Sequence, residues 1–167
     1  LLEKTIINKN ILITGGGGSI GSEICRQVVK LRPNNIVLLD NSEINLYNIK
    51  HEIDSLNIKN LQFSTLLGNC VDKNYLYFIF EKYKINTVIH AAAYKHVPIV
   101  QENPVNGVYN NVFSTKNICE ISEKFKIKNF LLISSDKAVR PTNYMGASKR
   151  LSELIVQAFA QKIKKNT

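Results

Sequence analysis

The chain has 167 residues, enough for one packed domain and short for two. A hydrophobic content of 44% and a charged content of 21% suit a soluble globular protein, and no apolar run approaches the ~20 residues that span a bilayer. The formal charge of +9 invites anionic partners, but the lysines are scattered rather than gathered into a stripe. That argues against a nucleic-acid surface, while a diphosphate-bearing ligand needs only a few of these charges.

The opening LLEKTIINKN lacks the long apolar stretch and cleavage site of a signal peptide and runs almost straight into NILIT, an apolar β run at residues 10–14. After a glycine cluster, Ile20, Ile24, Val28 and Leu31 recur at helical spacing until Pro33 closes the segment. NIVLLD is a second buried strand, and Ser42 is placed to cap a helix reaching about Leu56. LQFSTLLG is the third strand, followed by a helix through Leu76, Ile79, Phe80 and Tyr83. NTVIHAAA is the fourth, with a long helix expected from about Asn103 to Phe125. KNFLLISS is the fifth, and an amphipathic helix runs from about Tyr144 to Lys164. FAQKIKKNT comes directly out of that helix, so both ends read as cuts through a longer protein.

Nearly all-apolar strands are those buried on both faces of a parallel sheet. Strict alternation of strand and helix calls for right-handed crossovers and a doubly wound α/β sheet. The expected architecture is a single Rossmann domain over residues 1–167, with strand order 3-2-1-4-5 and ligands at the carboxyl ends of the strands.

TGGGGSIGSE sets Gly15, Gly18 and Gly21 three apart between the first strand and the first helix. Glycines there allow a tight turn and let the backbone approach a pyrophosphate, whose charge meets the N–H groups opening the helix. Ser19 can add a hydroxyl, and Ile20 belongs to the same loop. Asp40 ends the second strand, where an acid hydrogen-bonds the adenosine ribose; a carboxylate repels a 2′-phosphate, which favours NAD over NADP. Asn69 is open to two readings, an acceptor for the adenine amino group or an ordinary turn asparagine. Cys25, Cys70 and Cys119 are far apart, odd in number and without a CxxC, which points to buried small side chains in a reducing compartment. No His or carboxylate cluster has metal-ligand spacing, so no metal is expected. His90, after Val88 and Ile89, reads as a hydrogen-bonded strand histidine, and His51 as solvent-facing.

The runs TGGGGSIGSE, LLDNSEINLYNI, HAAAYKHVPIVQENP, NNVFSTKN and ISSDKAVRPTNYMGASKR span nearly the whole chain. Together they resemble the extended short-chain dehydrogenase/reductase superfamily and, within it, the CapD-like polysaccharide biosynthesis family of nucleotide-sugar 4,6-dehydratases. The resemblance implies that Ala91, Ala92 and Ala93 line an NAD cleft and that Asn111 is the family asparagine, although Phe113 and Ser114 replace its usual residue–glycine pair. It implies a catalytic Ser135, Asp136 and Lys137, with Asp136 as acid at O6, Lys137 as base at C5 and Ser135 bonded to O4. Lys149 matches the lysine of YxxxK and orients the nicotinamide ribose, while Met145 stands at the tyrosine position, as in the long, membrane-attached branch. A thioether takes no proton, so the base for the 4-hydroxyl is left open, with Asp136 acting through substrate or water as one candidate. Lys95, His96 and Asn143 are placed to meet the substrate, and a solvated loop is an equal reading for His96.

The implied partners are a UDP-sugar and, for the full-length protein, a second copy of itself, with no nucleic acid and no membrane contact by this stretch. The implied location is cytoplasmic, the parent attached to the inner face of the inner membrane. A nucleotide-sugar 4-epimerase and a non-catalytic NAD-binding module are the alternatives.

Overall fold

A computed structural model describes residues 2–165. Five parallel strands, β1 (Asn10–Thr14), β2 (Asn35–Asp40), β3 (Gln62–Leu67), β4 (Thr87–His90) and β5 (Asn129–Leu132), form one sheet in the order β3-β2-β1-β4-β5. This is the doubly wound Rossmann arrangement expected from the sequence. The register carries Thr14 opposite both Leu39 and His90, so β1 and β4 end on one line and β2 runs one residue further, to Asp40.

The apolar runs divide by the two-residue period of a strand. Ile11, Ile13, Ile36, Leu38 and Ile89 face one side, where α2 (Ser19–Lys30) contributes Cys25, Val28 and Val29 and α3 (Glu43–Ser55) contributes Leu46, Ile49 and Ile53. Leu12, Val37, Leu39 and Val88 face the other, against Leu76, Ile79 and Phe80 of α4 (Lys73–Tyr83) and Ile118 and Ile121 of α7 (Ser114–Lys124). Each buried Leu or Ile contributes about 1.5–3 kcal/mol, so two-sided burial is what makes the central strands continuous apolar runs. β3 and β5, at the sheet's edges, are only partly covered.

Helix starts follow local chemistry. Ser42 caps α3 by accepting from the Asn45 N–H at 3.4 Å, and Asp72 caps α4 by accepting from the Tyr75 N–H at 2.9 Å. Several elements depart from the sequence expectation. A short α1 (Leu2–Ile6) precedes β1 and carries Ile6 into the core. β4 stops at His90: the Ala91 N–H to the Thr14 carbonyl is the last ladder bond, and the Ala92 N–H turns to the Thr14 hydroxyl instead of continuing it. β5 likewise ends at Leu132.

The expected helix over 103–125 is three pieces, preceded by an unexpected one. α5 (Val97–Glu102) and α6 (Pro104–Val108) are separated by Asn103, whose ψ of 58° is not helical. Each carries a proline in its first turn, where the missing N–H costs nothing; Pro104 inside a continuous helix would clash with the preceding turn. A π turn, Tyr109–Phe113, then leads into α7. α8 (Tyr144–Lys165) packs across α5, α6 and α7.

Candidate active site

A cleft opens where the strands end. Gly15, with φ of 65°, takes the left-handed conformation that suits glycine, and its N–H donates to the Leu39 carbonyl at 2.8 Å. A Cβ at Gly15 would lie 2.7 Å from the Ala92 nitrogen, and one at Gly21 would lie 2.0 Å from the Gly15 carbonyl oxygen. Both positions exclude any side chain. Gly18 is the N-cap of α2 and gives no side-chain cap, so the first N–H groups of that helix are left for an anion. Ser19 is exposed beside them; Ile20 is 54% exposed and lines the cleft rather than joining the core face of α2.

Asp40 lines the same cleft and also braces it. Its Oδ2 accepts the Gly17 N–H at 2.9 Å and its Oδ1 the Ser42 N–H at 3.0 Å. Each carboxylate oxygen retains a lone pair for a ribose hydroxyl. Asn69 lines the far end and accepts the Val71 N–H at 3.0 Å, so it is an Asx turn as well as a cleft residue.

Ala91, Ala92 and Ala93 form the floor. Asn111 does not line the cleft; it is 1% exposed and its amide is spent on the loop behind the floor. It accepts the Tyr94 N–H at 2.7 Å and donates to the Tyr94 carbonyl at 3.0 Å and to Ser148 Oγ at 2.9 Å. Its contribution to the cleft is therefore through Tyr94, which does line it, and not by direct contact.

The polar residues after β5 lie on the same edge of the sheet but outside the cleft lining. Ser135 Oγ donates to Asp136 Oδ1 at 3.0 Å, Lys137 Nζ donates to the same oxygen at 3.2 Å, and Ser135 Oγ also accepts the Lys137 N–H. These bonds, Ser135 first and Lys137 second, hold the exposed Asp136 carboxyl below its ordinary range. That direction is opposite to the one a resident acid needs, because the hydrogen bonds and the Lys137 charge outweigh the slight desolvation there. A residue not singled out by the sequence seats this turn. A Cβ at Gly146 would lie 2.2 Å from the Lys137 carbonyl oxygen, so α8 meets the Asp136–Ala138 3-10 turn in van der Waals contact.

Met145 is buried at 3% exposure. Lys149 is buried too, its Nζ donating to the Ile133 carbonyl, and burial holds its pKa below the ordinary lysine value. Asn143 caps α8: its Oδ1 accepts the Gly146 N–H at 2.8 Å, which accounts for that oxygen without a substrate. Lys95 lines the cleft, and with His96, exposed at the N-cap of α5, it walls an adjoining hollow.

Cleft residues that the sequence did not single out include Gly68, Cys70, Tyr94, Asn110 and Ser114. The first two sit just past a strand's carboxyl end, a place the strand pattern could have flagged. Asn110 and Ser114 come from the π turn and its exit; the NNVFSTKN run covers both, but only the fold shows that they line the cleft. Cys70, like Cys25 and Cys119, is buried, and burial pushes all three thiols up to about 12. Among the described residues no group of His, Cys, Asp or Glu is gathered to hold a metal, and no helix is long and apolar enough to cross a membrane.

Comparison with known proteins adds to this geometry. Capsular polysaccharide biosynthesis protein CapD of Staphylococcus aureus is 40% identical over 159 residues, 95% of this chain and 26% of the relative. The inverting UDP-N-acetylglucosamine 4,6-dehydratase of Campylobacter jejuni is 30% identical over 151 residues, 90% of this chain and 43% of the relative. UDP-glucose 4-epimerases also occur among the relatives. The crystal structure of DesIV, a dTDP-glucose 4,6-dehydratase from Streptomyces venezuelae with NAD and TYD bound, matches with a TM-score of 0.78 at 21% identity. That match covers 93% of this chain and 52% of the other, and establishes a shared fold. The chain thus spans about a quarter of CapD and less than half of the Campylobacter enzyme. The family model described as polysaccharide biosynthesis protein matches residues 11–167, from the first strand through the last helix, and the chain belongs to that family.

Proposed function

We propose that the chain is the NAD-binding part of a nucleotide-sugar 4,6-dehydratase that converts UDP-N-acetylglucosamine to the UDP-4-keto-6-deoxy sugar. The observation that carries this reading is the Ser135–Asp136–Lys137 cluster, mutually hydrogen-bonded and open, on the sheet edge where the cleft lies. An epimerase has no use for an acid–base pair at C5 and C6, and a mere binding module has no use for the cluster at all. The dehydratase relative from Campylobacter supports the same choice.

The cleft fits NAD. Gly15 and Gly21 leave no room for a side chain where a pyrophosphate would approach, the start of α2 offers uncapped N–H groups, and Asp40 offers a carboxylate to the ribose. The carboxylate favours NAD over NADP. Bound NAD supplies the acceptor for the C4 hydride and the donor that returns it to C6.

This chain's residues handle the protons. Asp136, held as a carboxylate, takes the proton of the 4-hydroxyl, which supplies the base that Met145 cannot be. Now protonated, it delivers that proton to O6 as water leaves. Lys137 removes the C5 proton made acidic by the 4-ketone and, after exchange with solvent, delivers a proton back to C5 following elimination. Lys149, charged and on α8, orients the nicotinamide ribose and lowers the cost of an oxyanion at O4. Ser135 hydrogen-bonds that oxygen. The sum is loss of one water with no net oxidation.

Since the chain spans only part of its relatives, the sugar-nucleotide half is assigned to sequence outside residues 1–167, and the chain alone binds NAD without turnover. The test is to incubate the full-length enzyme with UDP-N-acetylglucosamine and NAD in deuterated water and weigh the product. Loss of one water with one deuterium at C5 is the expected result. A product of unchanged mass and inverted C4 would make it an epimerase, and no reaction would return the chain to a binding module.

A further inference from the structure

Beneath the alanine floor, the ends of β1 and β4 meet the start of α7 through one histidine. Thr14 Oγ1 lies 2.6 Å from His90 Nδ1, and His90 Nε2 lies 3.1 Å from Thr115 Oγ1. All three residues are buried, each at 1% exposure or less.

The direction of each bond follows from the far end. Thr115 has a single hydroxyl proton and gives it to the Asn111 carbonyl at 2.8 Å, an oxygen with no proton to offer back. Its oxygen can then only accept from the imidazole, so Nε2 carries the hydrogen and Nδ1 is bare. Thr14 therefore donates to Nδ1, and its own oxygen receives the Ala92 N–H at 3.4 Å. The chain runs one way: Ala92 N–H, Thr14, His90, Thr115, Asn111 carbonyl. A second ring proton would set two donors, Nδ1–H and the Thr14 hydroxyl, against each other.

The surroundings agree with a neutral ring. Burial first, and the Lys149 ammonium from α8 second, push the His90 pKa down to about 3. Cys70, hydrogen-bonded to Thr14, adds no charge, since its thiol is pushed up to about 12.

The upper end of the chain is the cleft itself. Ala92 lies in the floor, and its nitrogen is the atom that a Cβ on Gly15 would meet at 2.7 Å. The glycine loop and the floor are thus in contact, and the height of Ala92 sets the width left for a dinucleotide. We propose that His90, as the neutral Nε2–H tautomer, is a positioning residue for the dinucleotide, holding the Ala91–Ala93 floor against Gly15 and tying it to the π turn at Asn111. His90 touches no cofactor atom; it acts through Thr14. The inference rests on the reading of the cleft as an NAD site and deepens it.

The test combines a spectroscopic signature with binding. In the protein labelled with 15N-histidine, His90 is expected to show a protonated Nε2 and a bare Nδ1, unchanged from pH 8 to 5.5. An Nδ1–H tautomer, or titration near pH 6.5, overturns the proposal. NADH affinity, read from the cofactor's own fluorescence, is expected to weaken about tenfold in His90→Phe, which keeps the ring's shape and loses both bonds. His90→Asn places an amide oxygen near the Nδ1 position, so it keeps the Thr14 bond and is expected to stay within about threefold of wild type. Equal loss in both variants would reduce His90 to packing and overturn the proposal. Should His90→Phe not fold, Thr115→Val removes the Nε2–H acceptor from outside the cleft, and unaltered NADH affinity in that variant overturns it equally. A wild-type protein that bound no NADH would sink the NAD reading and this inference together. Wild-type binding with an unaffected His90→Phe would sink the inference alone.

Discussion

Gly17 gives its backbone N–H to Asp40 Oδ2 at 2.9 Å, so the acid at the end of β2 also fastens the glycine loop that follows β1. One side chain shapes the phosphate end of the cleft and faces its ribose end. Asp40→Ala is expected to weaken NADH binding by at least about tenfold and to lower stability by about 1–2 kcal/mol, since two backbone N–H groups lose their acceptor. Asp40→Asn, keeping one acceptor oxygen, should fall between. Titration with NADH and thermal melts check both; a stability unchanged in Asp40→Ala would show that the clamp is incidental.

The glycines of the loop are not equivalent. Gly21→Ala forces a Cβ to 2.0 Å from the Gly15 carbonyl oxygen, whereas the nearest atom to a Cβ at Gly18 is at 3.3 Å. Gly21→Ala is expected to destabilise the fold by about 3 kcal/mol or more and to abolish NADH binding. Gly18→Ala should fold within about 1 kcal/mol of wild type and lose affinity only, as its methyl enters the cleft. Denaturant melts read with NADH titrations separate the two.

Acid sensitivity should have a histidine component. The folded pKa of His90 is about 3, against 6.5 for the free side chain, so between these values the unfolded chain holds a proton that the folded chain refuses. Stability therefore falls as pH drops below about 6.5, by at most about 1.4 kcal/mol per pH unit, and the effect is complete below about 3. Glu23, Glu52, Glu120 and Glu153, all held below 4.5, add a loss of the same sign toward pH 5, but equally in wild type and variant, so the comparison between the two isolates His90. Melts of wild type and His90→Phe across that interval should diverge in slope, the variant being the flatter. Parallel curves would mean that His90 accepts its proton in the folded state.

Asp136→Asn and Lys137→Ala should leave the melting temperature unchanged, because both side chains are exposed and their ion pair stands in solvent. In the full-length enzyme the same changes should lower dehydration by about 100-fold or more, the usual scale of a lost proton-transfer group. Full dehydration rates in both variants would remove the cluster from the chemistry while leaving NADH binding as it was.

The sheet was legible in the sequence because its central strands are covered on both sides. Leu12 and Ile13 face opposite layers, and only a doubly covered strand can be apolar at both. α5 and the break at Asn103 were missed, although Pro98 and Pro104 mark two helix starts rather than one. Motif positions identified Asn111 and Asn143, but a motif names a residue without its partners. Here one amide is consumed by Tyr94 and Ser148 and the other caps α8. Gly146 was invisible for the opposite reason: its role is the closeness of the Lys137 carbonyl, a contact made across the fold.

The π turn at Tyr109–Phe113 has a consequence for how this segment tolerates change in length. A π turn accommodates one residue more than the α-helical ladder around it. Deleting a single residue there, Asn110 for instance, would let a regular α-helix run from α6 into α7 with both flanks close to their present rotation, since the π turn absorbs the extra residue within one turn. What would be lost is the wide turn itself, which brings Asn110 to the cleft while Asn111 faces Tyr94. Losing one amino acid there is therefore a local change to the cleft wall, not a rotation of everything upstream.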